Sequence, residues 1–422
     1  MRTAGIIAVA GALVLSQCSD RVRHNPLDPL NPETEGTPEA PSLSSDEKTV
    51  FVSWPDMKNN SITGYRVWRR IPGQSEPWPL ATVRRPSLFF RDTVSHYDTA
   101  FTYQISALTE TFESDLSPAD SIIPGPFNYW VADFFRGSLS AVTYDGAHLL
   151  RDDYVDSPVA LDLDPTGTFL WVASYYPGRI TKLSLEGEEV VSYELGSFPS
   201  DMAVNGRTGD VWTVPIGSSH LIRLNVDTGT LEEIPLDATL PRDSKVDVEP
   251  SGNGVWVTMA DSHYVIRISS EDLDEAKGFS VGGRPRDVIT MVEPDVAWIA
   301  TDSGLVGIDS QGNVNRYLDP FPIIDLDIHR GSQQVWLLAY DGQMRTTRVW
   351  TMTHWQGVWK ADPVDIPSEY TPWKIKVNPG SSHPGIVIYD LVQQHLIRLD
   401  KLGNQLGKLA GFSPRLDIVI ED

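Results

Sequence analysis

The sequence predicts an all-β protein, and three observations carry that prediction. Thirty-two glycines and thirty-one prolines in 422 residues, about one position in seven, favour many short elements joined by turns over long helices. Apolar and polar residues alternate at period two in runs such as Thr49-Val-Phe-Val-Ser-Trp54, as in a half-buried strand. From Phe127 onward a unit of about 42 residues repeats, each copy marked by an apolar run that centres on tryptophan in six of them. Composition also narrows function. With 57 acidic against 34 basic residues the net charge is −23, which excludes a general grip on nucleic acid phosphates and makes anionic membrane surfaces poor partners. A single cysteine excludes an intramolecular disulfide and any zinc or iron–sulfur site built on cysteines.

Residues 1–17 have the form of a signal peptide: Arg2, then the apolar run from Ala4 to Leu15, which is too short to span a bilayer. The stretch Leu15-Ser16-Gln17-Cys18 resembles the lipobox of bacterial lipoproteins, although Gln17 stands where a small residue is usual. That resemblance implies that Cys18 is lipidated and that the mature protein is exported and held at the bacterial cell envelope by its lipid. Ser19 after the cysteine implies the outer membrane. Residues 18–40 carry prolines at 26, 29, 32 and 38 and little to bury, so they read as an extended tether.

Residues 41–125 form the next segment, a run of short alternating strands with turn signals between them: Thr49–Trp54, Ile62–Arg70, Leu88–Asp92 and Phe101–Leu108. The span resembles a fibronectin type III domain. Trp54 matches the core tryptophan of its second strand, Gly64-Tyr65-Arg66-Val67 the third strand, Tyr103 the corner tyrosine, and Ser114-Asp-Leu-Ser-Pro118 the exit. No Arg-Gly-Asp tripeptide is present, so integrin binding is not implied.

Residues 126–422 are the repeat array. Its tryptophan strands are Tyr129-Trp-Val-Ala-Asp133, Leu170-Trp-Val-Ala-Ser174, Val211-Trp-Thr-Val214, Val255-Trp-Val-Thr258, Ala297-Trp-Ile-Ala300, Val335-Trp-Leu-Leu338 and, without tryptophan, Ile386-Val-Ile-Tyr389. A proline-led strand precedes most of them, as in Pro158-Val-Ala-Leu-Asp-Leu163, Pro199-Ser-Asp-Met-Ala-Val204, Pro285-Arg-Asp-Val-Ile289, Pro322-Ile-Ile-Asp-Leu326 and Pro372-Trp-Lys-Ile-Lys-Val377. Asp243 takes the proline's place in the fourth unit. Two further strands follow each, so every unit makes a four-stranded sheet that is apolar on both faces and has to stack between neighbours. Seven units predict a seven-bladed β-propeller. The first unit lacks its leading strand, and Pro414-Arg-Leu-Asp-Ile-Val-Ile420 supplies the missing copy, so the C-terminal strand should close the first blade. The units resemble the NHL and YVTN repeat families, which implies a propeller that binds peptides, proteins, glycans or small molecules, a minority being enzymes.

Candidate binding residues lie in the turns of one propeller face. Asp133, Asp261, Asp302, Asp341 and Asp390 follow their tryptophan positions closely and should form an acidic crown. Each either caps its own turn or joins the others to hold a cation or a basic partner. The pairs Asp162/Asp164 and Asp325/Asp327 are read as solvated or channel-facing. The lengthened sixth unit concentrates Trp350, Trp355, Trp359 and Trp373, either as a stacking surface for a sugar or peptide or as a hairpin burying its own aromatics against the next blade. His220 and His263, with Arg179, occupy a repeat position at the start of a third strand. Streptogramin lyases pair a loop histidine with a glutamate and magnesium; His263 and Glu293 are the residues available here, and no motif links them. No catalytic residue, metal site or cofactor is implied. The sequence therefore reads as an envelope-anchored, non-catalytic binding or scaffold lipoprotein with a protein, peptide or glycan partner. A lactone- or glycan-cleaving propeller enzyme and a purely structural envelope component are the alternatives.

Overall fold

The computed structural model describes residues 25–31, 33–46, 48–94, 96, 99–292, 295–329, 331–342, 346–355, 357–378, 385–400 and 402–421. The signal peptide and Cys18 lie outside them. Strands account for nearly all regular structure, the exception being one short 3-10 turn at Ala260–Ser262. No described helix is long and apolar enough to cross a membrane.

The chain divides into two compact units, one built on residues 52–90 and 101–121, the other on 122–421 with 43–51 and 91–100. In the first, Trp78–Arg84, Gly64–Arg70, Phe101–Leu108 and Asp120–Ile122 form a four-stranded sheet in that order. Period-two alternation drives it: Phe101, Tyr103, Ile105 and Ala107 are buried, with Thr102 and Gln104 between them partly open. Trp54 meets Tyr65 edge to face at 5.7 Å. A three-stranded sheet follows the order Ser42–Asp46, Thr49–Ser53, Phe89–Thr93.

The second unit holds seven four-stranded antiparallel sheets among the described residues. In six of them the strands follow chain order, as in Pro158–Leu163, Phe169–Ser174, Arg179–Ser184 and Glu189–Glu194. We number the sheets one to seven by their tryptophan-type strand. Sheet one combines Tyr129–Asp133, Ser138–Val142 and Leu149–Tyr154 with the C-terminal strand Leu416–Ile420, whose Ile418 lies opposite Val131. The leading strands touch in succession: Pro158–Leu163, Pro199–Val204, Val246–Val248, Pro285–Met291, Ile323–His329 and Pro372–Val377. Leu416–Ile420 lies against both the last and the first of these.

The repeated tryptophans are buried, and their place in the core explains the period. Trp130, Trp171, Trp212, Trp256, Trp298 and Trp336 each belong to an apolar cluster that mixes their own sheet with the next one. Trp171, for example, packs with Met202 and Ile222 of sheet three. At the seventh position Val387 sits with Tyr129, Tyr144 and Ile418 of sheet one. A sheet with such a residue on its flank cannot be soluble alone, so the units are stable only as a stack. The glycine turns that end strands need positive φ: Gly167, at φ 66°, closes a hairpin in which the Asp164 carboxylate accepts the amides of Thr168 and Phe169, both at 3.0 Å.

Removing a bridging ring should therefore cost far more than removing an exposed one. Trp298→Ala is expected to destabilise by about 3–5 kcal/mol, whereas Trp373→Ala should fall within about 0.5 kcal/mol. Differential scanning calorimetry of the two variants checks the contrast.

Candidate functional site

The five crown carboxylates do not come together. Asp133 is buried and accepts the amides of Ser413 (2.6 Å) and Arg136 (3.1 Å) and the Ser413 hydroxyl. Asp390 accepts the amides of Thr371 (2.5 Å) and Gln393 (2.6 Å), and Asp302 that of Arg284 (2.9 Å). These three share one job: a carboxylate at the end of the second strand holds the backbone that leads into the first. Asp341 pairs with Arg348 at 3.7 Å, and Asp261 is exposed in the short 3-10 turn. Among the described residues no three His, Cys, Asp or Glu side chains gather as metal ligands. Asp133, Asp302 and Asp390 thus hold turns through their own carboxylates.

The sixth-sheet aromatics are also dispersed. The insertion makes a long outer hairpin, Thr346–Trp355 with Val358–Val364. Its rings turn toward the preceding sheet, not the next one: Trp359 lies 4.6 Å from Trp298, edge on, and 4.9 Å from His354. Trp350 packs beside it against the same core. Burying Trp298 on two sides explains the direction, since sheet five offers only the short outer strand Val314–Tyr317 to cover it. Trp355 is described in its backbone alone. Trp373, 39% exposed, is the open one of the set, on the separate strand Pro372–Val377.

His220 and His263 stand in different settings. His220 bonds Ser218 Oγ through Nδ1 (2.8 Å) and faces Glu233 at 3.6 Å on the outer strands. His263 is exposed in a left-handed turn conformation, and Glu293 lies outside the described residues.

Charge concentrates instead on the leading strands, where it was only partly legible. Each sheet contributes charge on or beside its leading strand, three of them as residues two apart: Asp162, Asp201, Lys245 with Asp247, Asp287, Asp325 with Asp327, Lys374 with Lys376, and Asp417. Most of these aspartates reach across to the next sheet. Asp417 accepts the Leu161 amide (2.9 Å), Asp162 that of Val204 (2.7 Å), and Asp201 that of Val246 (2.9 Å). Asp247 accepts the Thr290 hydroxyl (2.8 Å), and Asp325 and Asp327 accept the Ile375 and Val377 amides, both at 2.7 Å. Lysines complete the lattice: Lys374 lies 3.4 Å from Asp325 and 3.6 Å from Asp417, Lys376 3.8 Å from Asp327, and Lys245 3.1 Å from Asp201. Burial opposes the charge on Lys374, but Asp325, Asp417, Asp287 and Asp201 outweigh it and hold its pKa above the usual lysine value. Those four carboxylates come from four different sheets, which places all of them around one central channel. Burial raises Asp417 as well, yet Lys374, Lys376 and Lys245 bring its pKa below the ordinary value.

Asp287 is the exception. Among the described residues its carboxylate accepts only the amide of its own neighbour Val288, at 3.0 Å, and makes no bond to sheet six. Burial, and then repulsion from Asp325, push its pKa up to about 6 against the pull of Lys374, Lys245 and Lys376.

At the end of the channel where the leading strands begin, the turns carry aromatic rings. Phe134 and Phe135 follow the second strand of sheet one, Tyr175 and Tyr176 that of sheet two, and Phe198 precedes the leading strand of sheet three. Tyr175 and Phe198 stack at 5.0 Å and 18°, and Phe134 meets Tyr175 at 5.9 Å and Phe135 at 5.2 Å. The Arg415 guanidinium sits 4.0 Å above Phe134 and 5.9 Å from Tyr175. Phe135 is 66% exposed, Tyr176 61% and Phe198 45%. Contiguous aromatic exposure of this kind marks interaction sites. The paired aromatics at matching places in two consecutive repeats were the signal in the sequence.

No family model and no curated protein matches the chain. Solved structures do resemble it. The Pseudomonas aeruginosa periplasmic gluconolactonase PpgL aligns with a TM-score of 0.55 at 13% identity over 70% of this chain and 99% of its own. A 6-phosphogluconolactonase homologue from Bacteroides fragilis gives 0.54 at 11%, over 69% and 98%. Apo AztD from Citrobacter koseri gives 0.51 at 11%, over 70% and 97%. The chain thus carries a β-propeller of the architecture shared by these proteins; at such identities the likeness concerns fold alone.

Two channel variants should behave oppositely. Asp325→Ala removes a latch and one partner of Lys374, and should destabilise by about 3 kcal/mol. Because folding raises the Asp287 pKa above its ordinary 3.8, the stability this group contributes is intact below that value and is lost as pH rises through about 6. Asp287→Asn is therefore expected to raise Tm by a few degrees at pH 8 and to change it little at pH 4, a difference that thermal melts across that range will register.

Proposed function

We propose that this protein is a non-catalytic binding module of the bacterial cell envelope, in which a seven-bladed propeller presents the aromatic channel mouth to a protein, peptide or glycan. The observation that carries the reading is the aromatic row at the mouth, in which Phe135, Tyr176 and Phe198 are exposed beside the half-buried Phe134 and Tyr175, with Arg415 laid upon Phe134. Rings of this kind supply large contact area at little entropic cost. The channel beneath is occupied by latches and ion pairs, which suits a scaffold better than a reaction chamber. The seven sheets, with Leu416–Ile420 completing the first, support a ring of seven blades. The orders Ser42–Asp46, Thr49–Ser53, Phe89–Thr93 and Trp78–Arg84, Gly64–Arg70, Phe101–Leu108, Asp120–Ile122 support the fibronectin type III reading of the preceding segment. In this reading residues 1–17 are a signal peptide and Cys18 carries the lipid at the outer membrane; the proline-rich segment after it is not extended where it is described, since Asn31 and Thr34 are buried and the Thr34 hydroxyl donates to the Pro26 carbonyl at 2.7 Å.

Asp287 favours a second reading. A carboxyl group with a pKa raised to about 6, free of an inter-sheet latch and beside Lys374, has the properties of a general acid or base. The gluconolactonase likeness makes sugar lactones the substrates to try.

Binding of the full chain to arrayed glycans and envelope peptides separates the two. The double variant Tyr175→Ala/Phe198→Ala should lose at least about tenfold in affinity with little change in Tm. Lactone opening abolished by Asp287→Asn, with no ligand retained on the array, supports the enzyme instead. For the anchor, labelling with a fatty-acid probe should mark the wild type and not Cys18→Ala; equal labelling removes the lipid from the proposal.

A further inference from the structure

The channel mouth is not only aromatic. In a chain of net charge −23 it gathers four arginines at the entrances to three leading strands. Arg415 immediately precedes Leu416–Ile420, Arg242 lies just before Val246–Val248, and Arg284 and Arg286 flank Pro285. Arg284 is neutralised by Asp243 at 3.0 Å. Arg242, Arg286 and Arg415 make no ion pair among the described residues. Burial, and then the positive charge of Arg242, press the Arg415 pKa below its ordinary value, with Asp243 and Tyr175 pulling only weakly the other way. Two guanidiniums that repel each other beside exposed rings are an arrangement that an anion would relieve.

We infer that the mouth binds an acidic saccharide, a glycan chain containing uronic acid residues; this rests on the binding reading above and specifies its ligand. Two separate features of the site make the match. The C–H faces of pyranose rings pack on aromatic faces, and the mouth leaves Phe135, Tyr176 and Phe198 exposed, with Phe198 braced by its stack on Tyr175 at 5.0 Å. A uronate carboxylate is planar and takes two parallel N–H bonds from a guanidinium, which is already held rigid here by its stack on Phe134 at 4.0 Å. A polynucleotide offers rings and anions too, but the acidic remainder of the surface opposes a long polyanion, and three unpaired arginines cannot offset it. A peptide adding as a strand needs an unpaired sheet edge, and the mouth is built of turns.

The test is calorimetric titration of the full chain with an oligogalacturonate and an alginate oligosaccharide, against the methyl-esterified oligogalacturonate, a neutral malto-oligosaccharide and poly-glutamate. The acidic sugars should bind, and esterification should weaken binding at least about tenfold. Arg415→Gln should lower affinity by a similar factor, as should Arg242→Ala. Arg242 is exposed at a turn, so its variant separates lost recognition from lost folding should Arg415→Gln prove unstable. Tyr175→Ala should weaken the acidic sugars while Tm stays constant, and rising salt should weaken them modestly. Equal affinity for esterified or neutral sugar overturns charge recognition while leaving the mouth a glycan site. Poly-glutamate that binds and displaces the oligogalacturonate assigns the surface to acidic peptides. If no acidic sugar binds, the inference fails, and the array experiment decides separately whether the mouth binds anything.

Discussion

The propeller depends on an aspartate that leaves one sheet and accepts a backbone amide from the next. Asp417, Asp162, Asp201, Asp325 and Asp327 all do this, and Asp247 does it through the Thr290 hydroxyl. The bond solves a problem that stacking creates. The leading strand of each sheet is an inner edge, with amides that no further strand pairs, and a buried amide without an acceptor is costly. A carboxylate from the neighbouring sheet supplies the acceptor, and for Asp201, Asp325 and Asp327 a lysine next to the accepted amide holds the resulting charge, with Lys374 reaching on to Asp417. Pairwise packing of tryptophans gives the array its period, while these central bonds give it registry.

Two junctions lack such a bond among the described residues: sheets seven and one, where Lys374 instead lies 3.6 Å from Asp417, and sheets five and six. At the second of these Asp287 has no latch, and burial, then the Asp325 carboxylate, push its pKa up to about 6. The same two sheets also meet farther out, where the long hairpin of sheet six lays Trp359 against Trp298. Aromatic packing at the rim thus stands in for the latch that the centre lacks. A lone high-pKa carboxyl group at the centre and a long outer hairpin are two aspects of one junction.

Much of this was legible. The tryptophan strands, the proline-led strands and the displaced C-terminal strand all stand in the sequence at the positions the sheets occupy, because burial between two neighbours imposes the same apolar pattern on every copy. The crown aspartates were legible as turn residues, since Asp133, Asp302 and Asp390 act on backbone a few angstroms away. The direction of the sixth-sheet aromatics was not: whether a hairpin folds toward the preceding or the following sheet depends on how much of Trp298 its own sheet leaves uncovered.

Period and composition alone determined that the chain is all-β, that its second half is an array of four-stranded units, and that its first strand partner comes from its last residues. These follow from local alternation and from apolar faces that need a neighbour. Only tertiary structure decided which charges meet. Arg415, near the end of the chain, reaches Phe134 and Tyr175 of the first two repeats, and Lys374 meets Asp417 of the closing strand, encounters that no local pattern announces. Their encounter follows from the rotation that brings each sheet against the next, which places every leading strand around a common centre.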